Sequence, residues 1–269
     1  MAKSRRRTLR LYGIGCGLLI LFVIVVFVGL AGWVHLGYRK ALVARDRLER
    51  AHDSQDDFTP AATGEIPPDR LQRFLAVRGT LFPLCEKVSA HQRLFARLEG
   101  HGDSERPPDG AILRDGFRAA TSILRVGRDF GDYVTARNEA LVAEEMGLGE
   151  YTWVYVVAYH AWLGQQPVAA IESESRPSVF YDRVLPQVRE MIRRQVSEAG
   201  DGSTVADWRS ELEALDRDPR RVPFEDGLPP ELEGSLSPFR GELERLACPS
   251  AGELEVVLTV RSGIGYDHR

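Results

Sequence analysis

The residues best placed to do chemistry lie in one stretch, Glu150 to Leu163, where Tyr151, Tyr155, Tyr159 and Trp162 recur at intervals of four, four and three. On an α-helix that spacing aligns side chains along one stripe, with Trp153 and His160 flanking it. Such a stripe can serve two purposes. It can line a pocket in which a ring, sugar or peptide side chain stacks, making Tyr155, Tyr159, His160 and Trp162 the candidate ligand-binding residues of an envelope enzyme or small-ligand receptor. Alternatively it can form the central helix of a bundle, each phenol finding a polar partner at its edge, which is the commoner use of such rings. The second reading is preferred. His160, the one histidine of the stretch, is then a hydrogen-bonded core or boundary residue rather than a catalyst.

Other chemistry has little support. His52, His91, His101, His160 and His268 are scattered, and neither a His-Glu-x-x-His nor a Cys-x-x-Cys pair occurs. The acidic cluster from Asp53 to Asp57 lacks the glycine and terminal glutamate of a calcium loop. A Gly-x-Ser-x-Gly elbow, a Ser-x-x-Lys pair and a Walker loop are all missing. Cys85 and His91, six apart on an expected helix, lie about 240° around its axis and do not face each other. No metal, cofactor or catalytic residue is therefore assigned, and a binding module is expected before an enzyme.

Cysteine usage leaves two readings open. Cys16 falls within an apolar run, while Cys85 and Cys248 lie in the remainder. In an oxidising compartment these two can bridge a very long loop. The alternative, slightly preferred, is a pair of buried free thiols acting as small core residues.

The elements that must position these residues begin with an address. Between Arg10 and Arg39 the chain has no formal charge, and Ile14 to Val34 is almost wholly apolar. A helix crossing the hydrocarbon core needs about 20 such residues. The stretch 11–36 is accordingly read as a single transmembrane helix that contacts the lipid bilayer. It is too long for a cleaved signal peptide, whose apolar region is about 7–15 residues. A basic stub, 1–10, precedes it, and residues 37–68 follow as a juxtamembrane helix and linker. Residues 69–269 are read as an all-α helical-bundle domain outside the cytoplasm.

Lys/Arg counts tie across the segment, but Asp46 and Glu49 offset charge on the far side, which favours a cytoplasmic N-terminus. The expected location is thus a bacterial inner membrane, single-pass, with the main domain periplasmic or extracellular. Lysine occurs only at 3, 40 and 87 against 32 arginines, a bias that fits a GC-rich bacterial genome. Gly13 and Gly17 have the spacing that lets two membrane helices approach, so self-association there is a further expectation.

The first 38 residues carry +5 and the remainder −9, within a net −4 overall. An acidic domain of that kind is a poor nucleic-acid binder, because phosphate neutralisation supplies most non-specific affinity. The expected partner is instead a protein of the envelope.

Within the domain, Leu71, Phe74/Leu75, Leu81/Phe82, Cys85 and Val88 recur at a period near 3.5, predicting a helix from Pro68-Asp69 that kinks at Pro83. A second long helix is predicted from about Ile112 to Met146, with Phe130/Gly131, Val134 and Leu141 on its stripe. The aromatic helix should stop at Gly164. Further helices are expected over 178–199 with a kink at Pro186, over 203–215, and from Pro229-Pro230 to Ala247 with an interior Pro238. The segment 253–260 is readable as helix or strand, with a lean to helix.

Overall fold

The computed structural model describes residues 39–52, 55–99, 128–166, 180–199, 203–249 and Glu255. All regular structure among them is helical, with no strand. The uncharged run, including Gly13, Gly17 and the proposed span 11–36, lies outside the described residues. Among the described residues no helix is long and apolar enough to cross a membrane.

Helix α1 (39–52) buries Ala41, Ala44 and Leu48, a stripe at i, i+3 and i+7. Helix α2 (Pro68–Glu99) runs through Pro83 without a break. Its buried face is Leu71, Phe74, Leu75, Leu81, Cys85 and Val88, so Leu81 takes the core position and Phe82 points outward at 37% exposure. Helix α3 (128–143) buries Tyr133, Val134, Ala140 and Leu141.

The end of α3 is held from α2. Glu145 adopts a left-handed backbone, φ 48°, which costs a residue with a Cβ. Arg73 donates to the Glu144 carbonyl at 3.0 Å and to the Glu145 carboxylate at 2.7 Å. Arg70 adds a bond to the Glu145 carbonyl at 3.1 Å and pairs in a fork with Glu150 on the next helix. Two cations thus meet the carbonyl end of α3, where the helix dipole favours them.

Helix α4 opens after the extended Gly147 (Leu148–Tyr155) and widens into a π-helix over Val156–Trp162. It ends as expected at Gly164, whose φ of 62° suits glycine, with Leu163 N–H donating to the Ala158 carbonyl. Helix α5 (Leu185–Glu198) is entered through another π turn, Phe180–Val184. It packs on α6 (Ser203–Arg217). The last predicted helix is divided into α7 (Pro230–Leu236), a 3₁₀ turn at Ser237–Phe239 containing Pro238, and α8 (Arg240–Arg245).

The stretch between α1 and α2 is not a free linker. Gln195 donates to the Ala61 carbonyl at 2.7 Å, Arg194 to that of Phe58 at 3.0 Å, and Ile66 N–H to Ser235 Oγ at 3.1 Å. Pro60, Gly64 and Ile66 are buried. Gly64, φ 78°, lies so close to the Trp208 indole that a Cβ would sit 2.8 Å from its ring. Trp208 in turn stacks on Trp153 and meets Phe224 edge-on, at 5.8 and 5.0 Å between ring centres. The strap therefore belongs to the core of the domain. A second tie joins Cys85 of α2 to Cys248 beyond α8: the two form a disulfide across a separation of 163 residues, in place of the buried free thiols.

Candidate functional site

The aromatic stripe sits inside the bundle. Tyr151, Tyr155 and Tyr159 follow one another at 6.3 and 5.2 Å between ring centres, with Phe74 of α2 against the first and third. Each is at most 3% exposed. His160 is 7% exposed and lies edge-on to Phe180 and Tyr155, at 4.7 and 5.4 Å. Its Nδ1–H donates to the Gln165 carbonyl at 2.6 Å, and Nε2 is buried with no hydrogen-bond partner. Burial pushes this imidazole below its ordinary pKa, only partly opposed by the Gln165 bond, so the ring is neutral. Trp162 stands apart: the widened π turn carries it off the stripe to a half-buried place where the Arg240 guanidinium lies 5.2 Å over its ring.

What the tyrosines surround is an ion pair. Arg78, on the buried face of α2, pairs with Glu255, and both side chains are almost completely buried. Tyr133 of α3 donates to one Glu255 carboxylate oxygen at 2.6 Å, and Tyr151 of α4 donates to the other. The Tyr151 hydroxyl also accepts from Arg78 at 3.2 Å, which closes a ring of bonds. Arg78 donates further to the Leu246 carbonyl at 2.9 Å. Its guanidinium lies 5.6 and 5.1 Å from the ring centres of Tyr155 and Tyr159, within cation–π reach. Arg137, one turn beyond Tyr133, donates to the Glu255 main-chain carbonyl at 2.6 Å and forks onto its neighbour Asn138.

The electrostatics follow from that packing. Burial disfavours the charge on Arg78, but the Glu255 carboxylate and the oxygens of Tyr151, Tyr133 and Tyr159 outweigh it and hold the guanidinium protonated more firmly than usual. Burial, then the nearby Glu255 charge, pushes Tyr133, Tyr151 and Tyr155 well above the ordinary phenol value. Tyr133 and Tyr151 are thereby kept as donors to Glu255. Arg137, buried with no carboxylate of its own, is pushed down from its ordinary value.

Such a cluster neutralises a buried charge. General acid–base work at a glycosidic or peptide bond needs a second titratable group facing a space for substrate. Two surface grooves share no residue with the cluster: one lies between α1 and α3, and the other, about 300 Å³, is lined by His52, Phe58, Arg70, Glu145 and Glu150 among others. Among the described residues no three His, Cys, Asp or Glu side chains are placed to hold a metal ion.

Sequence reasoning did not pick out Arg78, Tyr133, Arg137, Asn138 or Glu255. A signal was present. Arg78 occupies the step between Phe74/Leu75 and Leu81 on the stripe of α2, and Arg137 the step between Val134 and Leu141 on that of α3. An arginine on a buried stripe requires a buried partner. The partner, Glu255, is distant in sequence and lay in a segment readable as helix or strand; the structure has Glu255 itself helical, with its neighbours outside the described residues.

Comparison with protein-family models, with curated proteins and with solved structures finds no match to this chain.

Proposed function

We propose that this chain is a membrane-anchored, extracytoplasmic helical domain of the bacterial envelope that binds a protein partner. The observation that carries the reading is the Cys85–Cys248 disulfide downstream of the uncharged run. Structural disulfides persist on the oxidising side of a membrane, and a retained apolar segment keeps the domain beside it. The burial of the aromatic cluster supports a binding rather than a catalytic role, because two of its hydroxyls, those of Tyr133 and Tyr151, are committed to the buried Glu255.

Reporter fusions after residue 52 and at the C-terminus test the topology. A reporter that works only outside the cytoplasm should be active at both positions, and a cytoplasmic signal at both overturns the reading. Cross-linking in intact cells followed by purification in mild detergent should capture a stoichiometric envelope protein. Recovery of the chain alone, with cross-linker reacting fully, removes the partner-binding part of the proposal.

A further inference from the structure

Residues of α1 and α3 line a groove of about 660 Å³. The α1 wall is a ladder one turn per rung: Arg39 and Lys40, then Val43, then Arg47. The α3 wall answers it with Asp132, then Thr135 and Ala136, then Glu139. Charge, apolar step, charge therefore faces charge, apolar step, charge, with opposite signs across the gap.

Among the described residues none of the three cations forms an ion pair, with these carboxylates or any others; Asp132 is approached only by Arg128 of its own helix at 3.8 Å. Elsewhere on α1, Arg45 is satisfied by Glu49. Val43 is 52% exposed and Leu42 beside it 37%, an uncommon pair of adjacent open apolar side chains in this domain.

We infer that this groove binds the headgroup of a zwitterionic phospholipid with a primary amine, of the phosphoethanolamine type. The phosphate lies at the Val43 rung, within side-chain reach of Arg39 and Lys40 one turn to one side and Arg47 one turn to the other, and the ammonium lies opposite it at the Thr135/Ala136 rung, between Asp132 and Glu139. One molecule reaches both walls because a two-carbon link joins its two charges. An anion alone would satisfy the α1 wall and be repelled by the other.

Position agrees with chemistry. Only four residues separate Val34, the end of the apolar run, from Arg39. As helix, five steps span about 7.5 Å, which sets the first rung at the outer edge of a headgroup layer about 5–7.5 Å deep. The inference rests on the membrane-anchored reading above for the source of the lipid, though not for the recognition itself.

The full-length chain incorporated into nanodiscs provides the test. Discs of phosphatidylcholine are compared with discs in which an equal fraction of phosphatidylethanolamine or phosphatidylglycerol is added, and amide hydrogen exchange is followed. Phosphatidylethanolamine should slow exchange over 39–52 and 128–143 about fivefold, the protection given by a ligand at about four times its dissociation constant. The protection should vanish in Asp132→Asn/Glu139→Gln and in Arg39→Gln/Lys40→Gln/Arg47→Gln, both of which change exposed groups only. Protection by phosphatidylglycerol equal to or greater than that by phosphatidylethanolamine overturns the inference in favour of simple anion binding, and protection by neither overturns it outright. If the chain enters no disc, the anchored reading fails instead. Glycerophosphoethanolamine added to the chain in neutral detergent then decides the groove separately: slowed exchange in the same two segments supports it, and unchanged exchange ends it.

Discussion

At the scale of single residues, the fold depends on how one carboxylate is shared. Glu255 answers Arg78, Tyr133 and Tyr151 at once, while its main-chain carbonyl answers Arg137. Removing one partner of a buried pair leaves the other charge uncompensated, at a cost of about 3–5 kcal/mol, whereas replacing both with apolar groups of similar volume is often neutral. Glu255→Gln should therefore lower stability by about 3–5 kcal/mol in urea denaturation. The double variant Arg78→Met/Glu255→Leu should recover most of that, and a double variant as unstable as the single one would show that shape, not charge, governs the site. His160 gives a pH signature. Its native pKa is depressed by burial, so the unfolded chain binds the extra proton first. Stability is complete above the unfolded value of about 6.5, falls as pH drops below it, and levels off once the lower native pKa is passed. Denaturation midpoints taken from about pH 8 to about pH 5 should show this component in the wild type and lack it in His160→Gln; a variant with an unchanged profile would assign the effect to other groups.

At the scale of elements, the three interior prolines illustrate how far local sequence carries. Each removes an N–H and crowds the preceding turn, so a disturbance is legible at Pro83, Pro186 and Pro238. Its form is not. Helix α2 absorbs Pro83 within one continuous helix, Pro186 follows a π turn, and Pro238 sits in a 3₁₀ turn that divides α7 from α8. Which solution wins depends on the partner helices, information that a period of 3.5 does not contain. The same limit governs the strap. Its Pro, Gly and acidic residues read as a linker, but Ala61 and Phe58 carbonyls are taken by Gln195 and Arg194, residues more than a hundred positions away. In the aromatic helix, the stripe itself was legible from spacing, and the buried Tyr151, Tyr155 and Tyr159 follow it, whereas the π turn that displaces Trp162 was not. Gly64 and Gly164 separate conformation from contact. Both have positive φ, yet a Cβ at Gly164 meets open space while one at Gly64 meets the Trp208 ring. Gly164→Ala should lose about 1 kcal/mol for the left-handed backbone alone. Gly64→Ala should lose about 1–3 kcal/mol more through overpacking. Equal losses in thermal or urea denaturation would mean that Trp208 moves aside freely and that the strap is not held against α6.

At the scale of the whole molecule, the disulfide and the buried ion pair fasten the same part of the chain. Cys248 and Glu255 are seven residues apart, and both are anchored to α2, through Cys85 and Arg78 respectively. The covalent tie closes a loop of 163 residues. Chain-entropy reasoning values such closure at about 5 kcal/mol, with measured effects of about 2–4 kcal/mol. The ion pair stands to gain from it as well. While the disulfide is intact, the short spacer to Glu255 keeps the carboxylate at high effective concentration near Arg78, Tyr133 and Tyr151. Once it is removed, Glu255 must pay the ordering of its segment unaided. The two should therefore be coupled. In a cycle of Cys85→Ala/Cys248→Ala, Glu255→Gln and their combination, the loss in the combined variant should fall short of the sum of the two individual losses by at least about 1 kcal/mol, since the first change already frees what the second would release. Additivity within about 0.5 kcal/mol would mean that the two ties act on independent parts of the domain. Coupling of the predicted size would make the region after α8 a clasp that closes α2, α3 and α4 around a single carboxylate, and would explain why two arginines occupy positions on helical stripes that are otherwise apolar.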